Sequence, residues 1–322
     1  MKLWHPIFRR WRASVMALAF LGFFAVPTQA ADPSLTIGYV PVLGLTPALV
    51  ANSLGIYAKE GLNVHLAAFA SGPALYQAMA GGRVQMAYAG VPALLEWGSR
   101  GLQVKAVANV EDGTFDLMAR RGYHGAIAGA TIGDVGPGSG QDVMLRGFLL
   151  PAHHLALSKV SVRYLPLSDM LGALSSGQLD MALLGAPQST LARLKGATVV
   201  ASVPDPGFIL LATQKLIHAE PQVVAKVVQA HIEAIAYVHR HPAAAAAILA
   251  KDLNIPAVVT AKGRTESPTK VVEIGLKTMH FHATFAASDF SLYQKMNQQL
   301  VKLGLTQHLV KVRSFFDLHW LH

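Results

Sequence analysis

The chain has 322 residues, with 27 Lys and Arg against 18 Asp and Glu, 52% hydrophobic residues and no cysteine. The missing thiols exclude a disulfide scaffold, a lipid anchor on an N-terminal Cys and any thiolate metal site. Four of the cations sit at the N-terminus, so the formal charge of +9 falls to +5 without them, and these charges are scattered where a nucleic-acid face needs a dense basic stripe.

Lys2, Arg9, Arg10 and Arg12 precede an apolar run over residues 13–26, and Thr28-Gln29-Ala30 puts small residues at a cleavage position. This is the pattern of a secretory signal peptide, residues 1–30, with the mature chain starting at Ala31. The run is shorter than the ~20 residues of a spanning helix. Arg9-Arg10 leaves a twin-arginine route open beside the general one. A free periplasmic monomer is expected.

From residue 35 strands alternate with helices. The patterning predicts a strand over 35–40, a helix over 47–57, a strand over 63–69 and a helix over 73–80. A strand over 84–89, a helix over 92–100 and a strand over 104–110 follow. Beyond Glu111-Asp112-Gly113, an apolar segment at 115–118 leads into a second series: strand 131–135, helix 141–150, strand 160–165, helix 168–175 and strands 180–184 and 198–203. Pro204-Asp205-Pro206-Gly207 breaks the pattern. A strand over 208–212 comes next, and the remainder is expected to be helical, with Val224, Val228, Ile232 and Ile235 as an apolar stripe.

The second series repeats the first at an offset of 95 residues. Thr36, Ile37, Gly38 and Val40 return as Thr131, Ile132, Gly133 and Val135. Ala78, Gly82, Met86, Ala87, Gly90 and Pro92 return as Ala173, Gly177, Met181, Ala182, Gly185 and Pro187. The repeat predicts an α/β fold of two facing lobes, each a mostly parallel sheet flanked by helices. Residues 31–115 and 206–322 make one lobe and 116–205 the other. Crossovers near 111–119 and 203–208 are the expected hinge strands.

Ligands in open parallel sheets sit beyond the carboxyl ends of strands, where loops open helices. Here those loops are built of small residues, at 41–47, 70–73, 90–92 and 136–140. Helix starts offer free N–H groups and a positive dipole end, and Ser71 and Ser139 add hydroxyls. Ser before a helix is also ordinary capping. No Gly-Lys-Ser/Thr follows Gly136, so a phosphate loop is excluded.

The runs Ser71-Gly72-Pro73-Ala74-Leu75, Gly81-Gly82-Arg83-Val84-Gln85-Met86-Ala87, Gly136-Pro137-Gly138-Ser139 and Leu174-Ser175-Ser176-Gly177-Gln178-Leu179-Asp180 resemble the nitrate/sulfonate/taurine-type solute-binding proteins of ABC transporters. The helix end Gly55-Ile56-Tyr57-Ala58-Lys59-Glu60-Gly61 is similar too, and the resemblance spans residues 35–212. It implies a type II periplasmic binding fold that closes on a small solute and delivers it to an inner-membrane permease with its ATPase. No cofactor is implied. By position, the ligand contacts would be Gly44, Leu45, Thr46, Ser71, Gly72, Gly90, Glu111, Asp112, Gly113, Gly138, Ser139 and Gly140. Donors would come from Ser71-Gly72 and Ser139-Gly140, and shape from Gly44, Thr46 and Gly90. Two departures stand out. Leu184-Gly185-Ala186 is small and apolar where an aromatic or acidic residue is common, and Glu111-Asp112 is acidic for an anion site. Glu111 and Asp112 therefore serve either a cationic ligand group or the hinge, and the solute is an anion, a zwitterion or a heterocycle.

The histidine pairs His239/His241 and His280/His282, with His319 and His322, lack neighbouring carboxylates at ligand spacing, so no metal site is expected. Asp169 reads as a first-turn residue, and no Gly-x-Ser-x-Gly elbow occurs. No catalytic residue is assigned. An enzyme of the same fold acting on a heterocycle precursor, and a sensor that reports to a receptor, are the alternatives. Tyr39, Phe69, Tyr76, Tyr88 and Phe115 lie near the expected cleft, and aromatics facing it would favour a flat heterocycle.

Overall fold

The computed structural model describes residues 35–321; the expected leader and the start at Ala31 lie outside them. The first series forms β1 (Leu35–Tyr39), α1 (Thr46–Ser53), α2 (Ile56–Lys59), β2 (Val64–Ala68), α3 (Gly72–Ala80), β3 (Met86–Gly90), α4 (Val91–Ser99) and β4 (Val104–Asn109). A long strand, β5 (Glu111–Ala119), leads to β6 (Thr131–Asp134), α5 (Gly140–Met144), α6 (Leu150–Ala152), β7 (Ser161–Tyr164), α7 (Leu167–Ser175), β8 (Met181–Leu184), α8 (Gln188–Leu194) and β9 (Thr198–Asp205). The chain then runs through β10 (Phe208–Thr213), α9 (Gln214–Ala219), α10 (Pro221–Arg240), α11 (Pro242–Asp252), β11 (Val258–Val259), β12 (Thr265–Glu266), α12 (Pro268–Leu276), β13 (His280–Phe281) and α13 (Ala287–Lys302).

Two sheets result. The first has the order β2-β1-β3-β10-β4, with β1 parallel to β2 and β3 and β10 antiparallel to β3 and β4. The second has the order β13-β5-β8-β6-β7, with β9 also on β5. In it β6 is parallel to β7 and β8, while β5 is antiparallel to β8 and β9. Strand β5 arrives from the first series and β10 returns from the second. Each sheet is therefore completed by the strand that carries the chain across.

The offset of 95 holds at the level of single bonds. Ile37 pairs with Met86 and Gly38 with Ala87; Ile132 pairs with Met181 and Gly133 with Ala182. Gln85 Oε1 accepts the Thr36 N–H at 2.9 Å, and at the equivalent place Asp180 Oδ2 accepts the Thr131 N–H at 3.0 Å. A Cβ on Gly38 would lie 2.3 Å from Leu75 and 3.0 Å from Val84, and one on Gly133 2.4 Å from both Met170 and Leu179. The two glycines are thus required by helices packed against their strands at equivalent points.

Local chemistry explains where elements depart from expectation. The predicted helix 47–57 breaks at Gly55, whose φ of +67° is left-handed, and so becomes α1 and α2. The predicted helix 141–150 changes pitch, with a π-helical stretch, Leu145–Leu149, between α5 and α6. The tail is not wholly helical: β11 and β12 pair as a short hairpin, and β13 pairs with the start of β5, Phe281 beside Glu111. Helix α8 lies where no helix was expected, directly after Pro187.

Helix α10 buries Val224, Val228 and Ile235 of the expected stripe, with Ile232 partly covered, against α1 and α2. Further along the tail, α12 packs on α8, and α13 lies on both α4 and α5. One apolar cluster accordingly runs from Leu94 and Leu95 of α4 through Val143 and Met144 of α5 to Met296 and Leu300 of α13.

Candidate ligand cleft

A cleft of about 360 Å³ opens between the carboxyl ends of the parallel strands of the two sheets, within the size range of small-molecule sites. Of the residues expected there, Gly44, Ser71, Gly72, Gly90, Glu111, Gly113, Ser139 and Gly140 line it. The first sheet contributes the loops after β1, β2 and β3, and the second the loops after β6 and β8, including Gly185 and Ala186. Asp205, Phe208, Gln141, Gln188 and Met279 also line the cleft. The sequence reading passed over these five.

The four other expected residues point elsewhere. Leu45 and Thr46 are fully buried, and the Thr46 hydroxyl donates to the Leu43 carbonyl at 2.6 Å. Asp112 follows Glu111 on a strand and so faces the opposite side. There its carboxylate meets His280 Nδ1 at 3.0 Å and His282 Nε2 at 3.4 Å. Gly138 turns its α-carbon toward Glu96, 2.8 Å from the place of a Cβ, and donates its N–H to Asp142 Oδ2 at 2.9 Å.

Both serines are helix caps. Ser71 Oγ accepts the Ala74 N–H at 3.4 Å and Ser139 Oγ accepts the Asp142 N–H at 3.1 Å. Pro73 and Pro92 stand in the first turns of α3 and α4, so each helix start lacks one donor. At α5 the first turn already holds a carboxylate. Asp142, fully buried, accepts from Arg146 through a pair of bonds and from the Tyr164 hydroxyl at 3.0 Å. This network braces the loop 136–139 from behind.

Glu111 is 1% exposed, with Oε1 accepting the Phe208 N–H at 3.2 Å and Oε2 unpartnered. Burial, reinforced by the Asp205 charge, holds its carboxyl well above the ordinary range. Asp205 accepts the Gly207 N–H at 2.9 Å and is pushed up to about 7, chiefly by burial. The two carboxyls sit on the two crossovers, where Asp205 of β9 is paired with Gly113 of β5. Gly207, at φ +77°, packs there so closely that a Cβ would lie 1.9 Å from the Glu111 carbonyl oxygen.

Of the five expected aromatics only Phe115 lines the cleft; Tyr76 and Tyr88 are wholly buried, and Tyr39 and Phe69 are partly buried against the apolar clusters. The Tyr76 hydroxyl donates to the Gly90 carbonyl at 2.9 Å, fixing the turn into α4. His231 is fully buried: its Nε2 donates to the Asn109 carbonyl at 2.7 Å and Nδ1 receives the Tyr88 hydroxyl at 3.1 Å. Burial lowers its pKa to about 4. Among the described residues no three His, Asp or Glu gather as metal ligands.

A cleft between two α/β sheets joined by exchanged strands defines the fold of the two-lobed periplasmic binding proteins. The aliphatic sulphonate-binding protein SsuA of Escherichia coli superposes with a TM-score of 0.72 over 88% of this chain and 92% of its own, at 17% identity. The desulfurization enzyme DszB shares the fold at a TM-score of 0.58 and 16% identity, over 89% of this chain and 97% of its own. Residues 28–253 match the NMT1-like family, and the chain belongs to it. The bicarbonate transport ATP-binding protein CmpC of Synechocystis is 27% identical over 63% of this chain. The chain spans about a third, 35%, of that relative's length.

Proposed function

We propose that this protein is the periplasmic solute-binding component of an ABC-type importer. It captures a small polar solute between two lobes, 31–115 with 206–322 and 116–205, and passes it to a membrane permease. Supporting this is a cleft of about 360 Å³ lined from both sheets, with two crossovers, β5 and the β9–β10 passage, joining them and lending Glu111, Asp205 and Phe208 to its lining. A solute touching both sides favours the closed form by its differential contacts. Gly44, Ser71, Gly72, Gly90, Glu111, Gly113, Ser139 and Gly140 are the proposed contacts, and the hinge lies at 111–119 and 203–208. The signal-like N-terminus and the resemblance to binding proteins support export to the periplasm.

The lining hydroxyls favour binding over nucleophilic catalysis of the Ser-His or Ser-Lys kind. Among the described lining residues, hydroxyls at Ser71, Thr114, Ser139 and Thr278 have no His or Lys beside them to act as base.

The test is a thermal-shift screen of residues 31–322 with nitrate, taurine, ethanesulfonate, bicarbonate and benzamidine, followed by small-angle scattering. A solute at 100 times its dissociation constant stabilises by about 2.7 kcal/mol. A raised midpoint with a smaller radius of gyration is expected for one class. Silence from every class would sink the reading.

A further inference from the structure

The cleft has two carboxyl side chains and no basic one. Among the described residues that line it, Glu111 and Asp205 are ionisable and none is Lys, Arg or His. A captured anion would then depend on neutral side-chain donors such as Thr114 and Gln188 and on backbone N–H groups, of which the helix starts supply few. Pro73 and Pro92 have no N–H, the Ala74 and Asp142 N–H groups are bonded to Ser71 and Ser139, and the Asp142 carboxylate itself occupies the first turn of α5.

The opposite polarity is built in. Glu111 Oε2 is a buried acceptor with no partner, in a side chain whose Oε1 is already fixed by the Phe208 N–H. Buried acceptors of this kind are completed by a donor from protein, water or ligand. Asp205 stands near it on the other crossover, and Phe115 and Phe208 give the cleft apolar walls.

We propose that the solute is a small nitrogen compound, presenting an amine, amidine or ring N–H to Glu111 Oε2 and Asp205 and its apolar body to Phe115 and Phe208. This rests on the solute-capture reading and narrows it. Simple sulfonates and bicarbonate, which the named relatives handle, are not its ligands.

Isothermal titration of residues 31–322 with benzamidine, 2-aminopyridine, ethanesulfonate and bicarbonate tests this. At least one nitrogen probe should bind tenfold or more tightly than either anion. Glu111→Gln should weaken that probe at least tenfold while unfolding at or above the wild-type temperature. Ethanesulfonate or bicarbonate binding as tightly as the nitrogen probes, no nitrogen probe binding, or Glu111→Gln binding unchanged would each overturn the assignment. Anion binding that compacts the protein in scattering overturns it alone and leaves solute capture standing. Failure of all four probes together with the wider panel overturns both.

Discussion

Glu111 and Asp205 hold protons in the folded chain at pH values where the unfolded chain has released them. Burial comes first among the causes in both, and Asp134 behaves likewise, pushed up to about 7 by burial and by the nearby charge of Asp142. The folded state thus binds more protons, and stability falls as pH rises from the ordinary carboxylate range through about 7. His231 acts in the opposite sense. With its pKa lowered to about 4, it costs stability as pH falls from 6.5 toward 4. Between pH 8 and 6.5 the three carboxyls outweigh the onset of His231 protonation in the unfolded chain, so the unfolding temperature of the ligand-free protein should be higher at pH 6.5 than at pH 8. Glu111→Gln should narrow that difference and raise the value at pH 8. An unchanged difference, measured by calorimetry, would mean that Glu111 is not the buried acid described.

The site was partly legible residue by residue. Small residues at strand ends pointed to Gly44, Gly72, Gly90 and Gly140, and of these Gly44 is the one closely packed, 2.6 Å from Phe208 at the place of a Cβ. Asp205 was hidden by the surrounding prolines and Gly207, which read as a plain chain break. The opposite facing of Glu111 and Asp112 follows from strand alternation, yet only the pairing of β13 with β5 says which one meets solvent.

At the scale of elements, the repeat makes matched claims about Gly38 and Gly133. Each is jammed under a helix side chain at about 2.3–2.4 Å from the place of a Cβ. Gly38→Ala and Gly133→Ala should each destabilise by about 1–3 kcal/mol. Gly172 lies in α7 with nothing within 4 Å, so Gly172→Ala should stabilise by about 0.5–1 kcal/mol. Urea unfolding measures all three, and a neutral Gly133→Ala would contradict the packing. The strands and helices of the repeat were readable because alternation and glycine breaks mark them strongly. Helix α8 escaped because it starts with the polar run Gln188-Ser189-Thr190, and β11 to β13 are too short to carry any period.

The whole molecule is tied together by its exchanged strands. Strand β5 lies between β8 and β9, and β10 lies between β3 and β4, so losing either sheet strips a central strand from its connection to the other. Helix α13 adds a second tie by packing on both α4 and α5. The two sheets should therefore melt in one calorimetric transition with equal calorimetric and van't Hoff enthalpies. Two resolved peaks would show that the sheets are independent.

The exchange of strands also sets an order in time. A ribosome has made β1 to β4 by residue 109, but β3 and β4 have no strand between them until Phe208–Thr213 emerges. Nearly two-thirds of the polypeptide must be synthesised before the first sheet can close, so this half cannot fold ahead of the rest as an N-terminal domain ordinarily does.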